Sequence, residues 1–218
     1  MKAAVNQKGY TMIETIMYIS LLIILGGVLA GYAHHVISRY KTGRAAQQVI
    51  DLKKAIINFT AADEDYSNLS IAAMDHAHSL PMDMRNGDHV TAHHALGGSV
   101  QLGPASDDVL GDDSDNKDFM FYIRFNNLPK DSCVEILTQG QFYGDGSEMD
   151  TLIINGKFAW QYQHSFYDTS KYSGGNPVVS TLLPGSGANA VPSIRLNISD
   201  AVRACTEKDS NHITWIFS

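Results

Sequence analysis

The sequence lacks the motifs of the common enzyme classes. It has no nucleophile elbow, no phosphate-binding loop, no HExxH zinc motif and no internal repeat. Positive charge is scarce after residue 61, where nine basic residues stand against 21 acidic ones, a balance of −12, whereas residues 1–61 carry +5. An acidic C-terminal part repels phosphates and so argues against non-specific nucleic-acid binding. We therefore expect no enzyme, no cofactor and no nucleic-acid partner.

Cysteine is also scarce, since the chain has only Cys133 and Cys205. An even count in a chain with an export-type N-terminus predicts one disulfide. In the chain-entropy model such a bond removes about 4 kcal/mol of unfolded-state entropy. The alternative is a pair of buried free thiols in a cytosolic protein.

Long apolar runs are absent except for one near the N-terminus. Residues 10–33 are predominantly apolar, contain one acid, Glu14, and are long enough to span a hydrocarbon core of about 30 Å. A carboxylate in such a helix costs roughly 2.5–3.5 kcal/mol near the membrane centre, so its presence indicates a function. An ordinary secretory signal is the alternative, but this run is longer than a signal core and no small-x-small cleavage site clearly follows it.

The helix is predicted to continue beyond the apolar run. Residues 36–60 contain no proline. Apolar residues recur there at three- and four-residue spacing, which predicts an amphipathic helix to about residue 61; they are Ala45, Val49, Leu52, Ile56 and Phe59. Glycines at 26, 27, 31 and 43 are predicted to be points of bending or of close helix packing.

The rest of the chain predicts a sheet with short helices. Residues 62–97 and 172–192 are predicted loops, the first with at most a short helix. Strands are predicted at 99–102, 119–125, 152–160, 194–198 and 213–217, with Phe119, Phe121, Ile123 and Phe125 on one face and Asn155-Gly156 as a hairpin turn. Two short helices are predicted to carry the cysteines, one between Pro129 and Gly140, the other capped by Ser199 and Asp200. The fold class is α+β, one long helix packed on an antiparallel sheet.

Two clusters resemble metal sites only weakly. Histidines at 76, 78, 89, 93 and 94 fall in a predicted loop with no cysteine nearby, and a solvated polar stretch is the better interpretation. The acidic run 112–118 lacks the central glycine and late glutamate of a calcium loop and is predicted to be a surface charge cluster. We predict no metal.

The N-terminal pattern resembles the signature of type IV prepilins. Gly9 precedes an apolar helix with Glu14 in the fifth position after it. The later segments GGSVQLGPASDD, LPKDSC at 128–133 and SDAVRAC at 199–205 resemble the type IVb branch, which includes the toxin-coregulated pilin and PilS-like pilins. The implied fold is the type IV pilin fold, with a disulfide-bonded C-terminal region.

The resemblance implies a processing and assembly route. A prepilin peptidase would cut between Gly9 and Tyr10, Tyr10 would be N-methylated, and mature subunits would polymerise into an extracellular pilus, or fimbrium. This implies residues 1–9 as leader, 10–61 as the N-terminal helix (10–33 membrane-spanning, 34–61 amphipathic) and 62–218 as the head. The implied partners are further copies of the chain, the peptidase, an assembly platform, an ATPase and a secretin. The subunit would reside in the inner membrane with a periplasmic head before assembly.

Glu14 and Gly9 each have a physical role in that route, the first in charge pairing and the second in access of the peptidase. Cleavage frees an α-amine at Tyr10, and two unpaired charges in lipid cost more than a pair. Glu14 of an incoming subunit is therefore predicted to pair with the Tyr10 amine of a neighbour and fix axial register, with Thr11 adding a hydrogen bond. Gly9 would allow close approach of the peptidase to the backbone.

Several departures leave the kind of subunit open. The nine-residue leader is shorter than is usual in this branch, and Tyr10 stands where Met, Leu or Phe is common. The leading hypothesis is a major pilus subunit serving adhesion, aggregation, conjugation or secretion. The alternatives are a minor pilin or pseudopilin, and a tip adhesin whose head binds a receptor.

Overall fold

The computed structural model describes residues 12–63, 65–105, 119–139, 142, 149–161, 196 and 198–217. The chain divides into two units, residues 1–40 and residues 41–218. Helix α1, Met12–Phe59, contributes residues to both. Its backbone is helical throughout, including the four glycines.

Within its described residues, the second unit contains three further helical segments and six strands. The helices are α2 (Ile71–His76), α3 (Lys130–Thr138) and α4 (Ile198–Ala204), with a 3-10 turn at Met82–Met84. The strands are β1 (Ala92–His93), β2 (Ser99–Pro104), β3 (Phe121–Leu128), β4 (Met149–Ile154), β5 (Lys157–Gln161) and β6 (Asn211–Phe217).

The strands form one antiparallel sheet in the order β1-β2-β3-β6-β4-β5. The C-terminal strand β6 therefore lies in the interior of the sheet. Its Trp215 pairs with Ile123 of β3 on one side and with Leu152 of β4 on the other. The indole is fully buried and meets the Phe125 ring edge-on at 5.4 Å between centroids. Large apolar cross-strand neighbours of this kind fix the strand register.

The core of this unit joins the second part of α1 to the sheet. The predicted stripe is confirmed, because Ala45, Val49, Leu52 and Ile56 are buried and belong to the same cluster as the inward side chains of β3 and β6. Phe59 packs partly buried against that cluster. The predicted α+β architecture is therefore confirmed.

Two of the predicted strand assignments are wrong. Phe119 is 59% exposed and precedes β3, because the pairing of β3 with both β2 and β6 ends at Phe121. Ile198 is the first residue of α4 rather than the end of a strand, and Ser199 and Asp200 lie inside the helix rather than capping it. Ala201, Ala204 and Cys205 are buried at helical spacing. This burial favours a helix over the strand that the apolar alternation at 194–198 predicted.

The hairpin and the disulfide agree with the sequence. Asn155 and Gly156 have φ of +50° and +72°, as a type I′ turn requires. Cys133 of α3 and Cys205, which directly follows α4, form a disulfide with their Cα atoms 6.1 Å apart. The bond therefore joins α3, which precedes β4 and β5 in sequence, to the end of α4, which follows them. The loop predicted at 172–192 and the acidic run at 112–118 lie outside the described residues.

Candidate functional site

The first unit presents an apolar helical surface. Every large apolar side chain from Met12 to Tyr40 is exposed, and this stretch is long and apolar enough to cross a membrane by length and composition. The polar groups within it are satisfied locally where the structure shows their partners, as when Ser20 Oγ donates to the Met17 carbonyl at 2.9 Å. A surface of this kind is stable in lipid or against other apolar helices.

Glu14 lies in the first turn of the described helix and is exposed. It is the one acid before Asp51 in the sequence. An acid in the first turn also complements the positive end of the helix dipole. Gly9, Tyr10 and Thr11, which the sequence places beside it, lie outside the described residues.

Within the second unit, side-chain hydrogen bonds hold the long segment that follows α1 against α1. Gln48 is buried on α1, donates from Nε2 to Asp83 Oδ2 at 2.9 Å and accepts from Ala95 N at 2.8 Å. Arg44 binds the same Asp83 carboxylate at 2.7 Å. Burial of Asp83 raises its pKa, but the hydrogen bonds from Arg44 and Gln48 outweigh this and lower it overall. These bonds fix the 3-10 turn and the residues that follow β1 beside Arg44 and Gln48 of α1.

A buried acid that sequence reasoning missed orders the same connection. Asp75, at the end of α2, has a side chain only 3% exposed and pairs with Arg85 Nε at 3.3 Å and with His89 Nδ1 at 2.6 Å. The His89 ring also stacks on His76, with centroids 6.0 Å apart. Because a buried carboxylate must be paired, these contacts fix the segment that carries Arg85 and His89.

His94 differs from the solvated histidine that the sequence predicted. It is buried, donates from Nε2 to the Asn126 carbonyl at 2.8 Å, accepts from Leu96 N at 3.2 Å and stacks on Phe125 at 4.8 Å. Burial lowers its pKa, more than the bond to Asn126 raises it. The apolar ring of Phe125 and the backbone partners explain why a histidine belongs to this core.

No metal site is formed by the described histidines and acids. Within the described ranges no group of three or more His, Cys, Asp or Glu side chains is placed to hold a metal ion. Among the histidines from the predicted loop, His76, His89 and His94 instead form the contacts given above.

Two asparagines connect the elements around the disulfide. Asn155 Nδ2 donates to the Ala204 carbonyl and to Asn211 Oδ1, each at 3.0 Å, and Asn155 Oδ1 accepts from His212 N at 3.0 Å. Asn211 is fully buried and donates to the Leu128 carbonyl at 3.1 Å. The hairpin turn, α4, β6 and the end of β3 are therefore joined by side-chain amides. The dipeptide Asn155-Gly156 predicted the turn but gave no signal of these bonds.

Comparison with known proteins identifies the family. A family model described as PilS N terminal matches residues 39–218, which is most of the chain. The chain belongs to the PilS family of type IVb pilins. The predicted resemblance to the type IVb pilins is therefore confirmed, and the matched region begins after Gly9 and Glu14. Pilins are structural subunits rather than enzymes.

A solved structure shares the fold of this pilin. The type IVb pilin from Salmonella typhi matches at a TM-score of 0.51 and 16% identity, covering 79% of this chain and 97% of its own. TcpA, a type IV pilin from Vibrio cholerae El Tor, matches at a TM-score of 0.46 and 14% identity, covering 82% and 99% of the two chains. No curated protein matches the sequence of this pilin.

Proposed function

We propose that this pilin is the structural subunit of a type IVb pilus, processed after Gly9 by a prepilin peptidase and polymerised through its N-terminal helix. Residues 1–9 are removed as the leader, and Tyr10 becomes the N-methylated first residue. Residues 10–61 form the helix, and residues 62–218 form the displayed head. Assembly requires further copies of the chain and an export platform with its ATPase and secretin.

The observation that carries this proposal is the exposed apolar surface of α1. All large apolar side chains of Met12–Tyr40 are exposed, and at about 25 cal/mol per Å² such a surface strongly disfavours contact with water. A bilayer covers it before assembly, and the helices of neighbouring subunits cover it in a filament. One helix therefore serves as anchor and as polymerisation element.

Glu14 supplies the register of that polymerisation. Burying its carboxylate among apolar helices is costly unless a cation lies beside it. The α-amine of Tyr10 on a neighbouring subunit is such a cation, and methylation preserves its charge. Thr11 adds a hydrogen bond close to the pair. A subunit that slipped along the filament would leave both charges unpaired.

The second unit supports display of a stable head. Its core includes the second part of α1, and a disulfide and the Asn155–Asn211 pair join its C-terminal elements. The pilus displays this head for adhesion, aggregation, conjugation or secretion. A minor pilin, pseudopilin or tip adhesin is the second candidate, and the amount of the chain in sheared surface material separates it from a major subunit.

Filament yield in cells that carry Glu14 variants tests the register role. Glu14→Ala and Glu14→Gln are both expected to abolish or strongly reduce sheared filaments, because neither restores the charge, while leader cleavage proceeds. Ser20→Ala is the matched control on the same helix, since Ser20 bonds only within its own turn in the described structure. Normal filament yield from Glu14→Ala cells would contradict the role.

A further inference from the structure

The chain contains two Asn-Gly pairs within its described residues, and their surroundings differ. Asn86-Gly87 lies in an exposed turn between the 3-10 turn and β1, whereas Asn155-Gly156 forms the hairpin turn between β4 and β5. An asparagine followed by glycine is the sequence most open to attack by the next backbone nitrogen on the side-chain amide, because glycine has no side chain to obstruct the approach. The two Asn-Gly pairs are therefore candidate sites for the same reaction, one in an exposed turn and one in a hairpin turn.

The geometry at Asn86 favours this reaction. Gly87 N lies 3.0 Å from Asn86 Oδ1, so the nucleophilic nitrogen is already beside the amide that it would attack. The leaving nitrogen, Nδ2, is 2.9 Å from Thr91 Oγ1 and 3.4 Å from both Asp88 Oδ2 and His93 Nε2. These contacts come from exposed side chains, and water reaches the site.

The Asp88 carboxylate remains ionised beside that amide. Hydrogen bonds from the Thr91 side chain and from the backbone of Val90 and Thr91 lower the pKa of Asp88 to about 2. This ionised carboxylate near Nδ2 stabilises the nitrogen as it takes up a proton and leaves as ammonia.

We propose that Asn86 is a site of spontaneous deamidation in the folded head, and that the fold protects Asn155 from the same reaction. Gly87 N loses its proton and bonds to Cγ of Asn86, and the Cγ–Nδ2 bond breaks as Nδ2 takes up a proton and leaves as ammonia. Water then opens the resulting succinimide at either carbonyl, giving aspartate or isoaspartate. The sum is an amide plus water giving a carboxylate and an ammonium ion, with no redox change.

Hydrogen bonds hold the Asn155 side chain in a position that disfavours attack by Gly156 N. Its Oδ1 accepts from His212 N, and its Nδ2 donates to the Ala204 carbonyl and to Asn211 Oδ1, all at 3.0 Å. The side chain must break these bonds before Cγ can face Gly156 N. Since loss of a partly buried hydrogen bond is worth a factor of up to about ten and Asn155 forms three of them, the reaction there is expected to be slower by about tenfold or more.

Deamidation at Asn86 alters the segment that pairs with Asp75. The product carries one more negative charge, and isoaspartate inserts an extra carbon into the backbone of the turn closed by His89 N on the Asn86 carbonyl at 3.2 Å. His89, with a φ of +58°, is the residue that this turn presents to buried Asp75. Ageing of a displayed head would therefore loosen the Asp75–His89 contact.

Peptide mapping by mass spectrometry tests the proposal on the purified full chain in detergent micelles. The fractions of Asn, Asp and isoAsp at positions 86 and 155 are followed at neutral pH and physiological temperature, in the folded chain and in the same chain unfolded in denaturant. We expect conversion at both sites in the unfolded chain and, in the folded chain, conversion at position 86 about tenfold or more faster than at 155. Equal rates at the two sites in the folded chain would overturn the proposal. So would an intact Asn86 in the folded chain after the unfolded chain has converted.

Gly87→Ala is the matched variant. A Cβ at Gly87 meets nothing within 4 Å, and its φ is not in the left-handed region, so the fold tolerates it. The added methyl obstructs attack, and conversion at position 86 is expected to fall severalfold with position 155 unchanged. An undiminished rate at position 86 would show that Gly87 N is not the attacking atom.

Discussion

Replacement of Gly98 by alanine tests the packing around His94. A Cβ at Gly98 would lie 2.0 Å from the Asn126 carbonyl oxygen and 2.4 Å from His94 Nε2. The first of these is a backbone atom of β3 and cannot rotate aside, so β3 or the β1–β2 turn must move. The substitution is therefore expected to lengthen or break the hydrogen bond from His94 Nε2 to the Asn126 carbonyl.

Two effects set the expected magnitude. Forcing a methyl group into a closely packed site typically costs 1–3 kcal/mol, and leaving a buried hydrogen-bonding group unsatisfied costs about 1–3 kcal/mol. Because both effects arise from one displacement, they overlap, and we expect Gly98→Ala to lower the free energy of unfolding by about 2–4 kcal/mol.

Denaturant unfolding of the full chain in detergent micelles, with the disulfide intact, measures this change. Gly87→Ala is the control, because its Cβ meets nothing within 4 Å, and it should change the free energy by less than about 0.5 kcal/mol. If Gly98→Ala fell within that same range, the described approach of Gly98 to Asn126 would be wrong.

Three further predictions follow from the second unit. Burial lowers the pKa of His94, and burial with the charge of Arg124 lowers that of His212, so the unfolded chain binds more protons. Stability should therefore fall as the pH drops below about 6.5 towards the lowered folded pKa values; denaturant midpoints that stay flat across this interval would contradict it. Replacing both Cys133 and Cys205 by serine should cost about 2–5 kcal/mol, measured by the denaturation midpoint, and an unchanged midpoint would count against the disulfide as a stabilising bond. Asn155→Ala should cost about 1–3 kcal/mol in the same assay, with a loss under about 0.5 kcal/mol refuting the amide network.

The sequence predicted the elements whose periodicity is set by one buried face. The stripe from Ala45 to Ile56 repeats with the period of a helix, and Phe121, Ile123 and Phe125 alternate with the period of a strand. Asn155-Gly156 predicted its turn because only a few residues adopt left-handed backbone at two successive positions.

What the sequence did not predict depends on contacts between distant segments. Nothing local marks β6 as an interior strand between β3 and β4. Gln48, Asp75 and His94 look like surface residues, and they are buried because their partners come from other segments. Phe119 looks like a strand residue, yet it lies beyond the end of its partner strands. Partners of this kind are set by the tertiary fold.

The processing residues stay predictions of the sequence and the family. Gly9, Tyr10 and Thr11 lie outside the described residues, and Glu14 is described in the first turn of α1. Their roles depend on a peptidase and on neighbouring subunits, and a single chain carries neither.

Intact-mass spectrometry of this protein from sheared extracellular material is the most direct test of processing, export and assembly. We expect a chain that starts at Tyr10, carries one added methyl group and lacks two hydrogens because Cys133 and Cys205 are joined. A chain found only in membranes and still starting at Met1 would contradict it.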